Sequence, residues 1–220
     1  MAYWIDYKQE QNVYTFSMTF PFGAVITAAG LSSRMGSFKP LLEIGNIPAA
    51  ERVILNFHAA GIQTIAIVTG NRAAELENSL KHLNVEFLRN DRYECTEMFD
   101  SVKIGLEYLK DKCDRVFFTP VDVPLFSGET VKKLLEYKAH VCIPVFSKKR
   151  GHPIVLDGKI IDGILGYTGG GGLKGAIESL SLNIEYVEVN DSGIMYDMDT
   201  QDDYNKIIQM YKEGGSGKWK

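Results

Sequence analysis

Residues 23–42 read GAVITAAGLSSRMGSFKPLL, and no other stretch narrows the possible folds so far. Residues 24–29 form a short apolar run with β-branched members, as in a strand buried on both faces, and the run breaks at Gly30. The loop that follows carries Gly30, the hydroxyls of Ser32 and Ser33, the guanidinium of Arg34, then Gly36 and the ammonium of Lys39, and closes with Pro40-Leu41-Leu42. Glycines let a backbone turn sharply and bring its N–H groups close to an oligophosphate, while hydroxyls and fixed cations offset the charge. Arginine grips two oxygens in a planar fork, whereas lysine is a compact charge that can follow a phosphate as it moves. The spacing matches neither the GxxxxGK[ST] phosphate loop nor the GxGxxG dinucleotide turn.

Downstream, helical and strand patterns alternate. Residues 48–60 place Ala49, Val53, Ile54, Phe57 and Ala60 at helical spacing, and Gly61 supplies a stop. Residues 62–69 read as a buried strand, 72–82 as a helix, 85–88 as a strand and 115–119 as another, a βα repeat that builds a parallel sheet. The pattern continues with a helix over 127–139, strands over 141–146 and 184–189, and a last helix starting at Thr200. A chain of 220 residues suits one α/β domain. The expected fold is therefore a doubly wound, mostly parallel sheet in a single domain over residues 21–213, with an N-terminal extension at 1–20 and a flexible tail at 214–220.

Bulk properties exclude several classes of function. A net charge of -4 and a pI near 5.6 argue against a general nucleic-acid binder, which needs a basic surface to displace counterions. Cys95, Cys113 and Cys142 are odd in number and widely spaced, so neither a disulfide framework nor a zinc site is expected. The first residues show no basic n-region followed by an apolar h-region and no apolar stretch approaches membrane length, so the expected location is the cytoplasm. The tail GGSGKWK has linker composition, which admits continuation into a further domain or a cloning scar.

The string AAGLSSRMGSFKPLL resembles the nucleotide-binding signature of the MobA/MocA-like nucleotidyltransferases, and its Ala28-Ala29-Gly30 start resembles the cytidylyl branch of that family more than the guanylyl branch. A second match is DMDTQDDY at residues 197–204, similar to the family's Asp-x-Asp-Thr-Pro-x-Asp motif. Between them lie weaker ones. Residues 98–106 are similar to a segment that borders base and ribose, with Ser101 and Gly105 carrying over, whereas Glu97 and Asp100 depart from the pattern and also suit a helix cap. Asp122-Val123-Pro124 resembles the Asp-x-Pro turn in which the family's aspartate holds magnesium, and an acid at a strand's C-terminal end lies where open α/β sheets bind ligands. A turn-forming role before Pro124 is the alternative.

The resemblance implies that Ala28, Ala29, Gly30, Ser32, Ser33, Arg34, Gly36, Lys39 and Ser101 bind the nucleotide, with Arg34, Lys39 and Asp122 catalytic. It implies Mg2+ on Asp122, Asp197 and Asp199; in an extended segment the last two share a face, and Thr200 caps the final helix. RGHPIVL at 150–156 resembles the acceptor side of the cytidylyl branch, where His152 is a general base, a phosphate donor or only the fixer of a turn. In the glycine cluster at 167–175, where the family has an acid and an arginine, this chain offers only Lys174. The expected reaction moves a nucleoside monophosphate from a nucleoside triphosphate, CTP favoured, to a phosphorylated small molecule such as molybdopterin or a sugar phosphate. No nucleic acid or membrane takes part. A non-catalytic nucleotide-sensing module of a longer protein is the reading from another class.

Overall fold

The computed structural model describes residues 20–30 and 36–214; the N-terminal extension, Ser32, Ser33, Arg34 and residues 215–220 lie outside them. The first strand, β1 (Phe20–Ala28), is followed by a small hairpin, β2 (Glu43–Ile44) and β3 (Ile47–Pro48). Helix α1 (Ala49–Ala59) leads to β4 (Thr64–Thr69), α2 (Ala73–Leu80) to β5 (Glu86–Arg89), and α3 (Met98–Leu109) to β6 (Cys113–Pro120). After α4 (Gly128–Leu135) come β7 (Val141–Phe146), β8 (Lys149–Arg150) and β9 (Ile154–Asp157). Helices α5 (Ile161–Leu165) and α6 (Gly172–Ser179), strand β10 (Ile184–Glu188) and helix α7 (Gln201–Glu213) complete the described chain.

The main sheet runs in the order β10-β7-β9-β6-β1-β4-β5, with β8 added beside β7. It is mostly parallel. The reversed members are β9, antiparallel to both β6 and β7, and β8. Residues 148–156 read in sequence as a basic turn, yet Ile154-Val155-Leu156 is a buried strand. Val155 faces one layer while Ile154 and Leu156 face the other. The same period of two divides the central strands. Ala24, Ile26, Ile65, Ile67 and Phe117 pack toward Val53, Phe57, Leu76 and Leu134 of α1, α2 and α4, whereas Val25, Ala66, Val68, Val116 and Phe118 pack toward Val102, Leu106, Ile161 and Ile177 of α3, α5 and α6. The result is a doubly wound α/β sandwich.

Phe57 anchors the first layer, its ring 5.6 Å from that of Phe117 and 5.1 Å from that of Phe126, tilted in both cases. Each such pair contributes about 0.5–1.5 kcal/mol beyond the area it buries. The three cysteines are free thiols, and burial pushes the Cys113 thiol up to about 12, so it stays protonated and unreactive. A third, smaller cluster of Ile44, Leu125, Met198 and Ile207 joins the β2–β3 hairpin to α7. There Tyr204 donates to the Glu43 carbonyl at 2.6 Å, and the Arg52 guanidinium lies 4.3 Å from the Tyr211 ring centre. This cluster bears on the site, because Met198 stands between Asp197 and Asp199.

The chain proceeds from β1 to β4 and β5 on one side, then returns to β6 on the other. Strand order therefore reverses at β1. A crevice opens at such a point beyond the carboxyl ends of the strands.

Candidate active site

A cleft of about 550 Å³ occupies that crevice, large enough for a nucleotide. Thr27, Ala28, Ala29 and Gly30 enter it from the end of β1, Asn90 from just beyond β5, and Pro120 to Val123 from the end of β6. The wall is completed by Lys39, Tyr93, residues 96–98, Ser101, His152, Asp197 and Asp199.

Its charged centre is Lys39. The residue sits in a one-turn 3-10 helix, Lys39–Leu41, buried up to its ammonium. Nζ donates to Asp122 Oδ2 at 3.0 Å and to Asp199 Oδ1 at 2.7 Å, joining residues 83 and 160 positions away. Burial alone would lower the Lys39 ammonium, but its bonds to Asp199 and Asp122 outweigh that and hold it above its ordinary value of 10.5. The fold brings the two aspartates together by a backbone bond: the Met198 N–H donates to the Asp122 carbonyl at 3.0 Å. Residues 197–199 are irregular rather than a ladder strand, since the parallel sheet already ends at β10. Alternation still operates locally, with Met198 fully buried and Asp197 and Asp199 both lining the cleft.

Two anchors hold that segment. At one end Asp191, 2% exposed, accepts through Oδ2 from the Ser127 N–H at 2.8 Å, the Ser127 hydroxyl at 2.9 Å and the Thr130 hydroxyl at 2.7 Å. At the other, Thr200 caps α7: its hydroxyl accepts from the Asp203 N–H, and the Asp203 carboxylate accepts from the Thr200 N–H at 3.1 Å.

Burial, then the nearby carboxylates of Asp199 and Asp122, raises Asp197 above its ordinary 3.8. Three carboxylates thus line this corner, and two of them are bonded to the Lys39 ammonium. No group of three or more His, Cys, Asp and Glu side chains is placed to hold a metal ion by protein ligands alone among the described residues. The donor set nevertheless fits magnesium. That ion is hard, keeps several waters, and is commonly held by one or two carboxylates together with substrate phosphates. Asp122 and Asp199, whose oxygens both meet the Lys39 ammonium, would be the carboxylates to hold such an ion.

Opposite the carboxylates, Asn90 organises the mouth of β5. Its side-chain amide donates to the Thr96 hydroxyl at 2.9 Å and to Ser101 Oγ at 3.0 Å, and its carbonyl accepts from the Arg92 N–H at 3.1 Å. Ser101 is thereby bonded to Asn90, while the α3 cap falls to Asp100, which accepts from the Glu97 N–H at 2.8 Å. Asn90 was findable in the sequence by the strand-end reasoning that picked Asp122. Thr27, whose buried hydroxyl has no partner among the described residues, carried no such signal.

His152 stands at the seam with a second cleft of about 560 Å³ and, with Glu97 and Met98, lines both. Its backbone N–H donates to the Ile194 carbonyl at 2.9 Å, and its ring meets Phe118 edge-on at 5.5 Å. Gly151 is required beside it, because a Cβ there would run into the Ile194 backbone. Burial lowers His152 below its ordinary 6.5, so near neutral pH the ring is uncharged and offers no fixed cation to a phosphate. The second cleft has an apolar floor of Val102, Phe118, Ile143 and Ile177. On its rim the Arg150 guanidinium lies 4.7 Å from the Tyr186 ring centre.

Nine of the expected residues thus meet in one cleft: Ala28, Ala29, Gly30, Lys39, Ser101, Asp122, His152, Asp197 and Asp199. Lys174 lines the second cleft, its ammonium 3.7 Å from Glu178. Gly36, with φ of 62°, lines neither. No helix among the described residues is long and apolar enough to cross a membrane.

Comparison with known proteins adds four findings. The profile of the family described as MobA-like NTP transferase domain matches residues 24–184. The molybdenum cofactor cytidylyltransferase of Escherichia coli (strain K12) is 28% identical over 195 residues, covering 86% of this chain and 96% of that protein. Among solved structures, a nucleotidyl transferase from Methanothermobacter thermautotroptrophicus superposes with a TM-score of 0.77 at 22% identity, covering 89% of this chain and 99% of the other. A Mycobacterium tuberculosis H37Rv protein in complex with manganese superposes with a TM-score of 0.70 at 17% identity, covering 86% and 99%.

Proposed function

The chain belongs to the family of MobA-like NTP transferase domains and is a nucleotidyltransferase; from that premise we propose that it transfers CMP from CTP to a phosphorylated small molecule of the molybdopterin type, with Mg2+ as cofactor. The observation that carries this reading is the Lys39 ammonium bound between Asp122 and Asp199 at the sheet's switch point. The cytidylyltransferase relative matches almost end to end, which supports the choice of base. The apolar floor of the second cleft supports an acceptor with a sizeable ring body.

In this reading an acceptor phosphate oxygen attacks the α-phosphorus in line, the bond to the bridging oxygen breaks, and pyrophosphate leaves. A phosphate oxygen is nucleophilic as an anion, so no strong base is needed. Lys39 and Arg34 stabilise the charge that develops on the leaving phosphates. The backbone at Ala28, Ala29 and Gly30 approaches the base, with Ser32, Ser33 and Gly36 on the phosphates and Ser101 on the ribose side. His152 and Lys174 orient the acceptor across the seam. Asp122, with Asp197 and Asp199, holds Mg2+, which when bound supplies charge neutralisation at the phosphates.

A panel of CTP, GTP, ATP and UTP, each with magnesium and candidate phosphorylated acceptors, tests this through pyrophosphate release. CTP should lead by a wide margin, because a site that hydrogen-bonds a ring edge leaves polar groups unpaired against the wrong base. A lead for GTP overturns the cytidylyl reading. If Asp122→Asn and Asp199→Asn retain full turnover, the metal assignment falls.

A further inference from the structure

The proposed function leaves the flat face of the base without a partner, because the backbone at Ala28, Ala29 and Gly30 reads only an edge. Among the described residues that line the nucleotide cleft, the aromatic rings are those of Tyr93 and His152. His152 stands at the seam with the second cleft, its ring edge-on to Phe118. We propose that Tyr93 is the platform on which the base of the triphosphate stacks, a role that sets affinity and not the choice of base. The inference rests on the proposed function for the presence of a nucleotide; the place of the ring comes from the packing around Gly70.

Gly70 follows β4 directly, and a Cβ built on it would stand 2.8 Å from the Tyr93 Cβ and 2.9 Å from both the Ala29 Cβ and the Ala29 carbonyl oxygen. The missing Cβ therefore lets Tyr93 close against the exit of β1, where the base is placed. Asn90 holds the turn that carries Tyr93 at both ends. In the 3-10 turn Tyr93–Cys95 the Tyr93 N–H donates to the Asn90 carbonyl at 3.2 Å, and the Asn90 amide donates to the Thr96 hydroxyl just beyond it at 2.9 Å. That hydroxyl donates in turn to the Arg92 carbonyl at 3.0 Å, and the Asn90 N–H ties the whole loop to β4 through the Thr69 carbonyl at 2.8 Å. Closed on itself in this way, the loop fixes a half-buried ring from the protein side alone, so stacking costs little conformational freedom. The Tyr93 hydroxyl donates to Glu94 Oε1 at 3.3 Å, which occupies the polar tip and leaves the ring as what the residue can offer a ligand. Every base presents a π-face, so an aromatic platform strengthens binding without reading which base it carries.

The test compares wild type, Tyr93→Phe and Tyr93→Leu by calorimetric titration with CTP, UTP, GTP and ATP and with inorganic tripolyphosphate, each in the presence of Mg2+. Tyr93→Phe should match wild type. Tyr93→Leu, which keeps an apolar side chain, should bind every nucleotide that wild type binds about tenfold or more weakly, keep their order, and bind tripolyphosphate as wild type does. Loss of tripolyphosphate affinity in step with CTP overturns the proposal, since the cleft is then distorted as a whole. So does unchanged CTP affinity in Tyr93→Leu, or a loss in Tyr93→Phe equal to that in Tyr93→Leu. A changed order among the bases also overturns it, because the residue would then sit at the ring's edge. NMR of bound CTP reads the contact directly: cytosine H5 and H6 should move upfield with wild type and Tyr93→Phe, as protons over an aromatic face do. Downfield or absent shifts with wild type overturn the stacking even where the Leu variant fails to fold. Absence of any nucleotide binding to wild type, seen in the same titrations, instead removes the nucleotide reading and the platform with it.

Discussion

Gly105, midway along α3, gives the sharpest stability prediction. A Cβ at this position would overlap Val25 Cγ1 of β1 outright and stand 2.8 Å from Cγ2, a separation that real Cβ atoms do not show. In an exposed helix Gly→Ala stabilises by about 1 kcal/mol. Here the sign reverses. Forcing a methyl into a packed interface costs about 1–3 kcal/mol, and the direct overlap with fully buried Val25 puts Gly105→Ala at the upper end, for a net loss of about 2 kcal/mol. For a domain of this size that lowers Tm by about 4–8 °C. Because Met98 and Ser101 at the start of α3 line the nucleotide cleft, KM for the triphosphate should rise as well. Val25→Ala alone should cost about 2 kcal/mol by opening a cavity. The double variant should melt above Gly105→Ala, because the new methyl enters the space that Val25 vacates. Calorimetry of the four proteins closes the cycle. If the two losses simply add, α3 does not rest on Val25 in the way described, and the reasoning fails.

Three further outcomes follow from the site. Asp191→Ala leaves the Ser127 and Thr130 donors without their acceptor and should cost about 2–4 kcal/mol in a denaturant melt, with no acid left to rejoin the 190s to α4. Thr200→Ala should cost about 1 kcal/mol by removing the α7 cap, and should weaken Mn2+ binding in the presence of CTP, because the cap fixes the segment holding Asp197 and Asp199. His152 is neutral in the fold with its proton affinity lowered by burial, so its contribution is complete above the ordinary value of 6.5 and is lost as pH falls from there toward the lowered value. Wild type should therefore lose more Tm than His152→Asn between about pH 7.5 and about pH 5.5; equal losses would refute a half-buried neutral imidazole.

The α/β class was legible because β1, β4 and β6 are apolar runs that end at polar punctuation, and runs buried on both faces have few alternatives. Strand β9 was hidden. It is four residues long, follows Pro153 and adjoins Lys148-Lys149-Arg150, so local signals pointed to a turn, and its pairing with β6 and β7 came only from the sheet. Helix α5, five residues long, was too short to show a period. In the site, Lys39, Asp122 and Asp199 could each be picked from a motif, but not their mutual bonds, because the separations of 83 and 160 residues are closed by strand order rather than by spacing. Asp191 was invisible for a different reason. Within Asn-Asp-Ser-Gly it reads as turn chemistry, and only burial shows it to be an anchor.

The reversed strand β9 has a consequence for how such a protein can be altered. In a sheet parallel throughout, both walls of a crevice are strand exits, and changing one tends to disturb the phosphate loop beside it. Here His152 comes from the entry of β9, opposite the exit of β6 that carries Asp122, so the second cleft is framed by a ribbon, β7 to β9, that joins the nucleotide half along β6 and, at His152, through the Ile194 carbonyl. The molecule is in effect two tools riveted along one strand and pinned again at one histidine. Exchanging residues 141–157 for those of a relative should redirect the choice of acceptor while leaving the donor nucleotide unchanged, so diversification of one substrate need not wait on the other.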